Sequence, residues 1–150
     1  IKKVEKGRYR LVDVFEGLEE SQTLKKVFGD DVQDILVSTS IEINNHPWII
    51  WVNKSGAISI NVDYLNKIDL RTLYLDVVHE LVHIKQFKEG KKLFDERFSY
   101  ANSPTEIEAY RFTVEEAQNI GLNKKEIIDY LKVDWITDEE HQKLVEAVMK

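Results

Sequence analysis

The sequence predicts an α+β domain: a small antiparallel sheet of three or four strands, followed by a helical part. Three observations carry that prediction. Two β-rich runs, residues 48–53 and 57–62, are joined by Lys54-Ser55-Gly56, a three-residue connection whose glycine suits a bulged hairpin. The stretch 69–90 has helical spacing and is apolar almost all round. From Ser103 onward the chain carries one helix-start signal after another and little strand character.

In chain order, residues 9–15 alternate apolar and polar side chains and read as a short strand. Residues 21–28 read as a short helix that stops at Gly29. Residues 37–43 alternate again, with Val37, Thr39, Ile41 and Ile43 on one face, and predict a second strand ahead of the hairpin. Asp69 is an N-cap residue and Gly90 a stop signal for the long helix. Leu70, Leu73, Val77, Leu81 and Ile84 lie on one side of it, and Leu75, Val78 and Val82 on another. A helix of that kind is central and buried. Residues 91–102 form a loop anchored by Phe94, Phe98 and Tyr100. A second helix starts at Ser103-Pro104-Thr105-Glu106 and stops at Gly121. Residues 123–131 and 137–149 predict two more, each with a Glu three residues after its cap. Residues 1–150 then make a single domain, with a core at about 37–121 and a helical extension over 123–150.

Composition narrows the function classes. With 43% hydrophobic and 32% charged residues, the chain is a folded globular protein rather than a disordered one. A net charge of −6 gives no basic face for a nucleic-acid partner. The locally basic stretch 85–92 reads as a solvated helix end. No cysteine is present, which removes disulfides, thiolate zinc sites and a cysteine nucleophile, so any metal site must use His, Asp or Glu. No apolar run reaches the roughly 18 residues of a membrane span. No membrane partner is expected, and a cytoplasmic location is the default expectation.

The residues that carry chemistry lie on the long helix. His79-Glu80-Leu81-Val82-His83 sets two imidazoles four residues apart, on one helix face, where both can hold one zinc ion. Glu80 sits about 100° round the helix, within reach of a water on that metal. Zn2+ acidifies its water and polarises a carbonyl, and the carboxylate takes the proton and returns it to the leaving amine. In a chain of this composition the pattern arises by chance roughly once in a hundred sequences, and few of those copies would fall inside a helix. A third protein ligand is needed. Glu106, Ala109, Tyr110 and Thr113 share a stripe on the helix from Ser103, and small Ala109 permits close approach of the two helices. Glu106 is the choice. It also occupies the capping-box position, and Glu108, His46 and His141 remain alternatives.

With these residues in place, the sequence resembles the gluzincin metallopeptidases, which follow the H-E-x-x-H helix with a glutamate helix of pattern E-x-x-A/S-D. The match is His79-Glu80-Leu81-Val82-His83 and then Glu106-Ile107-Glu108-Ala109-Tyr110, within about residues 48–121. In its brevity the chain looks most like the minigluzincins. The resemblance implies zinc held by His79, His83 and Glu106, with Glu80 as general base and acid. It also implies a peptide or protein substrate paired along the strand that opens on Ala57 and ends on Val62. The pattern departs at Tyr110, where the family has an Asp that orients a metal-binding imidazole. Asp76 is a candidate substitute, and the departure points to low or latent activity. Tyr100, Tyr110, Arg111 and His141 are candidate oxyanion donors, with Tyr110 set beside Glu80 as the catalytic pair. The region from Asn123 either completes the core or lies across the cleft, with an acidic residue or His141 turned to the zinc. Two rival readings accompany this one. One is a regulatory protein of the ImmA/IrrE type that acts on a single protein partner; the other is a binding module that keeps zinc only for stability.

Overall fold

The computed structural model describes residues 4–149 and bears out the α+β class. Its sheet has four strands: β1 (Gly7–Arg10), β2 (Ser40–Asn44), β3 (Ile50–Val52) and β4 (Ile58–Asn61). They are ordered β1-β2-β4-β3. The pairs β1–β2 and β3–β4 are antiparallel, but β2 and β4 run parallel, with Ile41 opposite Ile58 and Ile43 opposite Ile60. The sheet is therefore mixed, not the antiparallel one expected. The expected hairpin does form, and it folds outward: β4 inserts beside β2 and leaves β3 at one edge of the sheet, with β1 at the other.

The helices agree with the sequence where caps are strong. Helix α2 (Gln22–Phe28) starts at Ser21, whose hydroxyl accepts from Leu24 N–H, and ends at Gly29. Helix α5 (Leu70–Lys88) starts at Asp69, which accepts from Thr72 N–H. Helix α6 (Pro104–Asn119) starts after Ser103. Both α7 (Lys124–Tyr130) and α8 (Asp138–Val148) open with complete capping boxes, Asn123 with Glu126 and Thr137 with Glu140. Three segments differ from expectation. The run 9–15 is strand only to Arg10 and then a one-turn helix, α1 (Leu11–Val14). Val37 belongs to α3 (Val32–Ser38), so the strand begins at Ser40. Val62 opens α4 (Val62–Lys67), because the Asn61 side chain accepts from the N–H groups of Asp63 and Tyr64 and turns the chain out of the sheet.

Helix α5 is buried on both sides, as its sequence demands. One side packs on the sheet, where Leu73, Val77, Val78, Leu81 and Ile84 join Ile41, Ile43, Ile58 and Ile60. That core also takes in Leu11, Leu18, Leu24 and Leu36 from the N-terminal third. On the other side Leu75 joins Tyr110, Val114, Leu122, Ile127, Leu131, Ile136 and Leu144. Residues 123–148 thus complete a second core against α5 and α6. Ala109, fully buried, packs with Val82 and Val27 where α5 and α6 approach. Gly56, at φ +81°, sits under the Phe87 ring and ties the hairpin to α5. None of the described helices is long and apolar enough to cross a membrane.

Candidate metal centre and cleft

The four-residue spacing on α5 turns His79 and His83 to one face, and Glu106 reaches that face from the first turn of α6. His79 Nε2 and Glu106 Oε1 are 3.0 Å apart, His83 Nε2 and Glu106 Oε1 3.1 Å, and the two Nε2 atoms 3.1 Å. Three tetrahedral ligands at zinc bond lengths sit about 3.3–3.4 Å apart, so the triangle needs little adjustment to hold a zinc ion. Among the described residues this is the one group of three metal-capable side chains that converge. Ser103 makes no side-chain cap bond to α6, and Glu106 faces the histidines instead of closing a capping box.

The hydrogen bonds behind the imidazoles decide which ring atoms face the centre. His83 Nδ1 lies 2.6 Å from Gln86 Oε1. The Gln86 amide nitrogen donates to Thr105 O at 2.9 Å and to Glu108 Oε1 at 2.8 Å, which fixes the amide orientation. Its oxygen therefore meets His83, and Nδ1 carries the hydrogen. His79 Nδ1 lies 3.3 Å from Thr113 Oγ1, whose own hydrogen goes to Ala109 O at 2.7 Å. Thr113 is thus an acceptor too, and His79 Nδ1 carries the hydrogen. In the neutral imidazoles both Nε2 atoms carry lone pairs aimed at one point beside a carboxylate oxygen. One proton on His83 can bridge a single contact; a cation satisfies all three. His79 and His83 are each about 5% exposed, so the donors sit in a largely dry site.

The ionisation of the cluster points the same way. Burial pulls the His83 imidazole down, but the Glu106 charge and hydrogen bond outweigh it and set the pKa at about 9. Burial keeps His79 below its usual range despite its bond to Glu106. Burial pushes Glu106 up, and the charge and hydrogen bonds of the two histidines hold it well below the usual carboxylate range. The carboxylate thus draws positive charge to the Nε2 face. Glu80, buried next to this group, is raised to about 8, chiefly by burial; His83 pulls it down, and Glu106 and Asp76 push it up. No hydrogen bond or ion pair among the described residues occupies its carboxylate, which lines a cleft of about 510 Å³.

That cleft places the remaining expectations. Tyr110 lines it, its ring centroid 4.1 Å from that of His79 and its hydroxyl 2.6 Å from that of Tyr100. Burial raises both phenols far above their usual range, so each stays protonated, and the pair keeps one O–H free to donate. Arg111 is directed elsewhere, onto Ala147 O, and so is His141, onto Ile128 O. His46 accepts from Trp48 N–H and packs on Trp48 and Trp51. Glu108 binds Gln86 and Lys91, so neither it nor the two remaining histidines joins the His79–His83 pair. Asp76 does not orient His79: it accepts from the hydroxyls of Tyr64 and Tyr130, the latter at 2.7 Å. The imidazole partners are Gln86 and Thr113, and sequence reading missed Gln86. A signal was present: a polar residue three positions after His83, on the same face of a helix buried all round.

The cleft rim also corrects the expected substrate strand. The strand that contains Ile58–Asn61 is paired on both sides, so it has no edge for a peptide. β3 has one. Asn61 N–H bonds to Ile49 O and Asn53 N–H to Ala57 O, so odd positions face β4 and the N–H and C=O groups of Ile50 and Val52 point to the open side. Both residues line the cleft, as do Trp48 and Phe94 on one flank and Tyr130, Val133 and Trp135 on the other. The last three come from the C-terminal region, which walls the cleft rather than filling it. No family model, no curated protein and no solved structure matches this chain.

Proposed function

We propose that this protein is a zinc-dependent peptidase. The observation that carries the proposal is the convergence of two imidazole Nε2 atoms and one carboxylate oxygen, 3.0–3.1 Å apart, beside an unoccupied carboxylate in an open cleft. A zinc ion held by His79, His83 and Glu106 would supply a water acidified to near-neutral pKa and a Lewis acid for a carbonyl. Three protein ligands facing a cleft leave a coordination position for chemistry, whereas zinc that serves stability alone is closed off by four.

The chain's own side chains account for the remaining steps. Glu80 takes the proton of the attacking water and hands it to the leaving amine. Its raised pKa suits both acts, since a base poised near neutrality also serves as an acid. The Tyr100–Tyr110 pair offers an O–H to the oxygen that gains charge. Ile50 and Val52 hold an extended substrate backbone by strand addition, and the aromatic flanks cover it from water.

The direct test is metal analysis coupled to a peptide-cleavage assay. Purified protein should carry close to one zinc per chain, lose hydrolysis on chelation and regain it with zinc. At a thousandfold excess of zinc over its Kd, the loaded fold should gain about 4 kcal/mol over the stripped one. A chain that neither retains zinc nor cleaves any member of a mixed peptide pool would refute the proposal.

The substrate edge has its own test. Ile50→Pro removes an outward N–H without touching the β3–β4 ladder. It should lower kcat/KM for extended peptides by about tenfold, near the value of one well-placed hydrogen bond, with zinc content unchanged. Undiminished kcat/KM would take the substrate off this edge.

A further inference from the structure

We infer that Glu108, Gln86 and His83 form a relay that sets the zinc affinity of the site, with Gln86 as the positioning residue and Glu108 as its distant charge. The inference rests on the metal reading above and adds to it two residues that touch no metal.

The geometry is a chain of three groups. Glu108 Oε1 accepts from Gln86 Nε2 at 2.8 Å, and Gln86 Oε1 accepts from His83 Nδ1 at 2.6 Å. Gln86 is fully buried, whereas the Glu108 side chain is 44% exposed. An amide whose N–H is held by a carboxylate has a more negative carbonyl oxygen, because hydrogen bonds in series polarise one another. His83 Nδ1–H thus meets a stronger acceptor than a lone amide, and its Nε2 becomes a better donor to a metal ion. The charge itself stays at the protein surface, where solvation costs little. The same amide nitrogen binds Thr105 O in the first turn of α6, one residue before Glu106. Gln86 therefore fixes the ring of one ligand and the helix end that carries another. Lys91 Nζ, 3.5 Å from Glu108, partly offsets the relayed charge.

Zinc Kd by competition with a chromophoric chelator is the readout, with melting of the metal-free protein as the control for folding. Gln86→Leu keeps the bulk and removes the relay; it should bind zinc about 10- to 100-fold more weakly. Glu108→Gln, at a partly exposed position, should weaken binding by about 2- to 10-fold at unchanged melting temperature. Wild-type zinc affinity in Gln86→Leu, or in Glu108→Gln, would overturn the relay while leaving the metal site intact. If the unaltered protein bound no zinc, the metal reading itself would fail. Should Gln86→Leu not fold, Glu108→Gln decides the matter.

Discussion

Glu80→Gln should retain zinc and lose peptide hydrolysis by about 10²- to 10⁴-fold, the range that a positioned general base supplies. Gln keeps the length of the side chain but can neither take nor return a proton. Metal retention follows because Glu80 is not in the converging triangle. The same variant should change stability with a definite sign. The Glu80 pKa rises from 4.5 to about 8 on folding, mainly because burial penalises the carboxylate. Between those values the folded chain binds more protons than the unfolded one, so stability falls as pH rises through the window. Above it the penalty is complete. Metal-free Glu80→Gln lacks this loss and should exceed metal-free wild type by several kcal/mol at pH 8–9, with little difference at pH 4. Bound zinc favours the carboxylate and should shrink the gap. Denaturant melts of stripped protein at pH 4 and pH 9 check the sign, and a peptide assay checks the rate. Full hydrolytic activity in this variant would remove Glu80 from the mechanism.

Such a trade arises because the Glu80 carboxylate sits in a dry wall made by the core, and much of that wall was legible in the sequence. Helix periodicity alone identified α5 as central, and Ala109 as the small residue at the α5–α6 crossing. The stripe Glu106, Ala109, Tyr110 and Thr113 faces α5 as its spacing required. Sequence reading failed where a decision depended on contacts far along the chain. Val37 and Val62 have strand propensity, yet each lies in a helix: Val37 because Val32 and Leu36 have helical spacing and bury together, Val62 because the Asn61 cap outweighs one β-branched residue. The parallel β2–β4 pairing is invisible locally, since a hairpin looks the same whether it folds inward or outward. That choice decides which strand is free, so the unpaired edge beside the cleft is β3 and not residues 57–62. Asp76 lies one turn before His79, but Tyr64 and Tyr130, 12 positions before it and 54 after, occupy its carboxylate.

Glu106 poses the sharpest version of the same problem, and its variant should have the largest effect on the metal. Its position three residues after Ser103 suits a capping box, where Gln serves as well as Glu. At a metal centre the two residues are far from equivalent. The carboxylate brings the only negative charge to the triangle and holds its oxygen 3.0 Å and 3.1 Å from the two imidazoles. Glu106→Gln preserves shape, but it removes that charge and offers an amide oxygen, a weaker ligand. Zinc should then bind more than about 100-fold more weakly, beyond the effect of losing an outer partner such as Gln86, and hydrolysis should vanish at micromolar metal. Helix content by circular dichroism should stay at the wild-type value. In the metal-free form His83 loses the charge that holds it near 9, so its imidazole should titrate well below that, toward or under the usual value, as burial then acts with less opposition. Histidine NMR titration reads that shift directly, without zinc and without a substrate. A variant that bound zinc like wild type would take Glu106 out of the proposed metal site and leave the two imidazoles without their third ligand.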